Sequence, residues 1–202
     1  MNERFIPKNV IGILLAGGQS KRMGCDKAEL NFSGKSQLQH AQKLLHDTGC
    51  EHIYISRNHT DGIVDIYKNQ GPLAGLHAVL CHISCPDNTL ALVIPVDMPL
   101  LQTDHLKELL QQARRQQRDI YFEDNYLPCV LHIGTQIKIE LEQRLRQNQR
   151  SVKGFLAARH AHILTSPNNE QLLNTNTPDE WQLACHIRQN IISPNRRHCH
   201  GA

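Results

Sequence analysis

The sequence predicts a three-layer α/β fold with a mostly parallel central sheet, and three observations carry that expectation. Two runs, 10–15 (VIGILL) and 90–96, are of strand length and apolar on both faces, as strands covered by helices on each side are. Helix-spaced and strand-like stretches alternate along the whole chain, the order expected of βαβ units. Both apolar runs also end abruptly in small or polar residues, Ala16-Gly17-Gly18 and Asp97, where open α/β sheets place their ligands.

Taken in order, the strand at 10–15 breaks into glycines that let the main chain approach a ligand closely. Residues 29–35 read as a short extended piece and a turn. Leu38, Ala41, Leu44 and Leu45 then recur at helical spacing, with Gly49 ending the helix. Residues 53–56 form a strand and 63–66 a shorter one. Gly71-Pro72 opens a helix that continues through Ala78, Val79 and Ile83, proline being suited to a helix's first position.

After the strand at 90–96, Thr103 is expected to cap a helix with Asp104 in its first turn. Leu106, Leu109, Leu110 and Ala113 form its buried stripe. Residues 120–122 and 129–133 read as strands around a hairpin or loop at 123–126. Helices at 137–145 and 152–158 and a strand at 162–164 follow. Pro178 starts the last helix, with Asp179 and Glu180 near the positive end of its dipole. No repeat or linker interrupts the pattern, so a single domain over residues 1–192 is expected, with a disordered tail at 193–202.

Composition narrows the function classes. At 202 residues, 40% hydrophobic and 20% charged, the chain has the make-up of an ordinary globular domain. Its net charge of +3 comes from scattered basic residues without interleaved aromatics, which argues against nucleic acid as a partner. No apolar run reaches the length of a membrane span, and Met1–Lys8 lacks the apolar core of a signal peptide. The seven cysteines contain no C-x-x-C pair, so reduced thiols and a cytoplasmic location are expected. Cys81 and Cys85 read as small core residues of a helix. His198-Cys199-His200 reads as a polar chain end, since no second pair has zinc-site spacing.

Chemistry concentrates after the first strand. Ala16, Gly17 and Gly18, then Arg22, Gly24, Asp26 and Lys27, suit a loop in which main-chain N–H groups cradle phosphates and cations neutralise them. Neither G-x-G-x-x-G nor G-x-x-x-x-G-K-[ST] is present. Asp97 ends the second apolar strand and should lie on the same sheet edge as this loop. A carboxylate beside phosphates calls for a cation between them, and Mg²⁺, held by one or two carboxylates plus phosphate oxygens, is the natural one.

The stretch L-A-G-G-Q-S-K-R-M-G-C-D-K resembles the signature loop of nucleotidyltransferases with a GT-A-like, Rossmann-like fold. Within them it looks most like the molybdenum cofactor guanylyltransferases. G-P-L-A-G at 71–75 and P-V-D-M-P at 95–99 also match that family's segments. N-T-N-T-P-D-E-W at 174–181 resembles its N-x-N-T-P-E-[DE]-L. The resemblance implies catalytic roles for Arg22, Lys27 and Asp97, with Asp97 the Mg²⁺ ligand. It implies nucleotide contacts from Leu15, Ala16, Gly17, Gly18, Lys27, Ser56, Asn58, Asp65, Gly71, Pro72, Gly75 and Asp97. Asn174 and Asn176 would be polar contacts on the pterin side, and Asn176 also suits a helix cap.

The implied reaction is transfer of GMP from GTP to the terminal phosphate of molybdopterin, or of its molybdenum-loaded form. Transient contact with molybdenum-cofactor biosynthesis proteins or apo-molybdoenzymes would accompany it. The chain departs from the family at Ser56, where an Asn is usual, at Leu127, where a His precedes the proline, and at Ser151, in place of a second Arg. Cytidylyl transfer to the same pterin, transfer to another phosphorylated alcohol, and a non-catalytic pterin or nucleotide carrier are alternative readings. Gly17-Gly18 favours guanylyl over cytidylyl transfer, and retention of Lys27 and Asp97 favours an enzyme over a carrier.

Overall fold

In the computed structural model of the chain, which describes residues 9–17, 26–32, 34–59, 61–166 and 169–192, the sheet grows outward from its first strand. Strand β1 (Val10–Leu15) pairs in parallel with β4 (His52–Ser56) on one side and with β5 (Thr89–Pro95) on the other. Beyond β5 lie β7 (Asn125–Ile133), β6 (Ile120–Phe122) and β8 (His162–Leu164), in the order β4-β1-β5-β7-β6-β8. Strand β7 runs against both its neighbours, and β8 is again parallel to β6. The expected mostly parallel sheet is therefore present, with β7 the one reversed strand of the six.

Period-2 alternation sends the side chains of β1 to two separate cores. Val10 and Leu14 join the cluster that packs on α1 (Gln37–Asp47) and α3 (Thr103–Gln116), including Leu44, Leu45, Leu106 and Leu109. Ile11 and Ile13 join the opposite cluster, against α2 (Pro72–His82), α4 (Thr135–Arg146) and α5 (Val152–Ala158). The helix after β1 thus covers one face and the helix after β4 the other. A reversal of that kind opens a crevice at the carboxyl ends of the strands beside it. The last helix, α6 (Pro178–Ile192), packs Ala184 and Trp181 against Leu100 and Leu173.

Several local expectations are corrected. Residues 63–66 form no strand; Ile63 makes only an isolated bridge to Ser56, and Val64 and Ile66 are exposed. Residues 31–36 make a miniature hairpin, β2 (Asn31–Phe32) with β3 (Lys35–Ser36), preceded by a 3₁₀ turn over Lys27–Glu29. The cap of α3 is Gln102 rather than Thr103, with Gln102 and His105 exchanging hydrogen bonds. Strand β7 begins earlier than expected, at Asn125, because Glu123-Asp124 makes a tight turn in which Asp124 adopts φ 62°. Cys81 is exposed on α2, and Cys85 lies past that helix's end, half-buried against the second core, so the two are not a pair of buried helix residues. The tail expected at 193–202 lies outside the described residues.

Candidate active site

Strand register gathers the site. Leu15 pairs with Ser56 on one side and with Pro95 on the other, so the three strand ends finish level. Pairing continues one step further: the Ala16 N–H donates to the Ser56 carbonyl at 2.8 Å and the Val96 N–H to the Leu15 carbonyl at 3.0 Å. Residues 16–17, 56–58 and 96–97 therefore leave the sheet side by side, although the sequence separates them widely.

Lys27 and Asp97 meet there. The Lys27 Nζ donates to Asp97 Oδ2 at 2.9 Å and to Asn176 Oδ1 at 2.8 Å. Both partners of the ion pair are mostly withdrawn from solvent, their side chains 13% and 19% exposed. The segment carrying Asn176 is tied down beside them, since the Thr175 N–H and hydroxyl both donate to the Asp97 carbonyl. Asn176 itself is not the cap of α6. Thr177 Oγ1 accepts the Glu180 N–H, and Glu180 Oε2 accepts the N–H groups of Thr177 and Asn176. This reciprocal capping box leaves the Asn176 side chain for Lys27.

A second polar group forms beside the glycine loop. Asp65, nearly buried, accepts from Asn58 Nδ2 at 2.9 Å, and its own N–H donates to Asn58 Oδ1 at 2.9 Å. The Ser56 hydroxyl donates to the same carboxylate at a long 3.4 Å. A Cβ on Gly17 would lie 3.5 Å from Asn58 and 3.8 Å from Asp65, so the loop passes directly against this pair. Gly75, on α2, must be glycine for a different reason: a side chain there would collide with Ser56 Oγ. Gly71, the residue before that helix, has φ 72°, which few other residues tolerate.

These residues line one cavity of about 780 Å³. Leu15, Ala16, Gly17, Lys27, Ser56, Asn58 and Asp65 contribute to its walls, as do Gly71, Pro72, Gly75, Asp97, Asn174 and Asn176. Of the residues expected at the site, Gly18 and Arg22 lie outside the described residues. The hairpin at Asp124, Asn125, Tyr126 and Leu127 adds to the wall, together with Asp26, Asn69, Pro95, Val96 and Val152. Tyr126 and Asn69 carry no periodicity or motif that marks them; their place follows from the β6–β7 turn and the approach to α2. Ser151, which replaces the family's second Arg, serves as the N-cap of α5 by accepting the Gly154 N–H.

No group of three or more His, Cys, Asp or Glu gathers to cage a metal among the described residues. A divalent cation here would instead rest on Asp97 together with oxygens of a bound ligand, which is how Mg²⁺ is usually held at phosphates. A glycine loop at a strand end, the Lys27 ammonium and the Asp97 carboxylate suit charge neutralisation on a polyphosphate.

Comparison with known proteins points the same way. A family model described as the MobA-like NTP transferase domain matches residues 12–163. The molybdenum cofactor guanylyltransferase of Xanthomonas euvesicatoria pv. vesicatoria is 36% identical over 181 residues, covering 87% of this chain and 94% of the relative. That of Photobacterium profundum is 30% identical over 185 residues, covering 84% and 92%. Among solved structures, the molybdopterin-guanine dinucleotide biosynthesis protein A of Archaeoglobus fulgidus superposes with a TM-score of 0.63 at 20% identity. It covers 89% of this chain and 98% of its own. A CMP:2-keto-3-deoxy-manno-octonic acid synthetase complexed with CTP gives 0.66 at 12% identity, covering 91% and 100%. At these identities the solved structures share the fold.

Proposed function

The chain belongs to the MobA-like NTP transferase family, and on that premise we propose that it transfers GMP from GTP to the terminal phosphate of molybdopterin, or of its molybdenum-loaded form. The observation that carries this reading is the convergence of Lys27, Asp97 and Asn176 at the open end of β1 and β5. Relatives named molybdenum cofactor guanylyltransferase support the substrate assignment.

In this reaction an oxygen of the acceptor phosphate attacks the α-phosphorus of GTP in line. A P–O bond forms, the bond from the α-phosphorus to the α–β bridging oxygen breaks, and pyrophosphate leaves with that electron pair. The acceptor is already an anion at neutral pH, so no general base is required. The task left to the protein is placement and charge neutralisation. Main-chain N–H groups of the glycine stretch that begins at Gly17 cradle the phosphates, the Ala16 N–H being held by the Ser56 carbonyl, and Lys27 and Arg22 offset charge on the departing pyrophosphate. Asp97 would hold Mg²⁺, which would supply positive charge at the phosphate oxygens. On the base side, the Asp65 carboxylate accepts hydrogen bonds only, which suits the N–H donors on the guanine edge. Asn174, Asn176 and the 124–127 hairpin face the acceptor.

Thermal unfolding with Mg²⁺ and each of GTP, CTP, ATP and UTP tests the assignment. A ligand at a hundredfold excess over its Kd stabilises the folded state by about 2.7 kcal/mol. A midpoint shift with GTP alone is expected, followed by pyrophosphate release once molybdopterin is added. A shift with CTP alone would replace guanylyl by cytidylyl transfer, and binding without turnover would point to a carrier.

A further inference from the structure

Between Ser56 and Asn58 lies a residue that the cavity does not use. Arg57 is 4% exposed, and its guanidinium holds three carboxylates at once. Its Nη2 donates to Asp26 Oδ2 and to Glu29 Oε1, each at 2.7 Å, and its Nη1 donates to Asp61 Oδ2 at 2.7 Å. Asp26 precedes and Glu29 ends the short turn that carries Lys27. The second oxygen of Asp26 accepts the Ala28 N–H at 2.9 Å and so caps that turn. The loop that brings Asp61 closes on Arg57 so tightly that a Cβ on Gly62 would lie 2.6 Å from the Arg57 Cβ.

We propose that Arg57 is a positioning residue that clasps the Lys27–Glu29 turn to the end of β4 and thereby sets where the Lys27 ammonium stands. A turn of three residues with one cap has little stability of its own. Its partner here is a planar fork whose donors reach carboxylates on both sides of Lys27, a geometry that a lysine cannot reproduce. The main chain of Arg57 joins Ser56 to Asn58, so the clasp also links the Asp65 side of the cavity to its phosphate side. The effect on turnover rests on the nucleotidyl-transfer reading; the effect on Lys27 does not.

Two measurements test the clasp. In the first, Arg57→Lys is assayed in the natural chain and in a Lys27→Ala background. Residues that act through one another are non-additive. The expected result is a fall in kcat of about tenfold or more, with the nucleotide KM changed less than about threefold, and almost no further fall in the Lys27→Ala background. Equal losses in both backgrounds, or a loss carried by KM alone, would overturn the proposal.

The second measurement needs no substrate. The ammonium signals of the ¹⁵N-lysine-labelled protein are recorded, with that of Lys27 assigned by its absence in Lys27→Ala. Arg57→Lys and Asp26→Asn should each broaden or abolish the Lys27 signal while the unfolding transition shows a folded protein. Asp26→Asn is the gentler variant, since Asn still caps a helical turn. An unchanged Lys27 signal in both folded variants would overturn the clasp. A chain with no turnover but with this loss of signal would instead overturn the nucleotidyl-transfer reading and leave the clasp standing.

Discussion

The Lys27 ammonium stands 2.9 Å from Asp97 Oδ2, although 70 positions separate the two residues in the chain. The pair joins the phosphate-loop side of the cavity to the end of β5. It keeps some exposure, 13% and 19%, and so resembles a site group more than a buried structural pair. Partly exposed ion pairs contribute roughly 0–1 kcal/mol to stability. Removing one oriented charge from a transition state costs about 10²–10³ in kcat. Lys27→Ala and Asp97→Ala should each lose activity on that scale, while their unfolding midpoints fall by no more than about 4 °C. Steady-state kinetics beside calorimetry checks this; a variant that unfolds, or one that keeps full turnover, contradicts it.

Asn176 is held from behind. Its main-chain N–H donates to Glu180, while its side chain accepts from Lys27. A hydrogen bond to a charged group contributes about 1.5–3 kcal/mol. If the bond matters most in the transition state, Asn176→Ala lowers kcat by roughly 10- to 100-fold. Asn176→Asp should be worse than Asn176→Gln in phosphate binding, because it adds a negative charge beside Asp97. Nucleotide titration of the two variants decides the order.

Gly75 and Ser56 are fitted to each other. A methyl at position 75 would collide with Ser56 Oγ and lie 3.1 Å from its Cβ and 3.3 Å from Leu15 Cδ2. Overpacking of this kind costs typically about 1–3 kcal/mol. Gly75→Ala should destabilise by that amount, and Ser56→Ala in the same chain should recover part of it by removing the hydroxyl. Denaturant unfolding of the single and double variants provides the test. Equal instability with and without the hydroxyl would count against this contact.

Asp119, far from the cavity, anchors the other end of the sheet and makes acid stability testable. It accepts the His132 main-chain N–H at 2.7 Å and bonds to the Arg159 guanidinium, which also reaches Glu140 at 2.8 Å. The His132 ring nitrogen lies 3.4 Å away and is poorly aligned for a hydrogen bond, so the main-chain contact is the firmer one. Burial pushes the Asp119 carboxyl up, but His132 and Arg159 pull it down further, so it titrates below the usual carboxylate range. A depressed carboxyl stabilises the fold above its unfolded pKa of about 3.9, and that contribution is lost as pH falls through the folded value. Asp119→Asn should cost about 3 kcal/mol at neutral pH, as the breaking of a buried pair does. The gap between the two proteins should close as pH drops below about 4. A gap that stays constant from pH 7 to pH 3 would contradict this assignment.

Much of the site could be read from the letters alone. Ala16 and Gly17 follow a run whose apolar periodicity identifies a strand, Asp97 ends another, and Gly71-Pro72 opens a helix; all of these reach the cavity. Other features depended on partners remote in sequence. Thr177, not Asn176, caps α6, and the choice became visible only through Glu180. Ile63–Ile66 has the composition of a strand yet stands outside the sheet, because Ile63 makes only one bridge, to Ser56 at the end of β4. Tyr126 enters the wall through the turn at Glu123-Asp124, and nothing in its own neighbourhood announces that role.

By itself, then, the sequence determined the α/β class, the strand ends that carry glycine and aspartate, and the family those motifs resemble. Apolar spacing, turn residues and short motifs are local properties that a linear reading retains. Only the tertiary structure decided that Lys27 lies between Asp97 and Asn176, and that Arg57, itself outside the cavity lining, holds three carboxylates, of which Asp26 lines the cavity. Such pairings are set by strand register and by which helix covers which face of the sheet. A one-residue change of register would send every side chain of a strand to the opposite face, and no stretch of sequence contains that information alone.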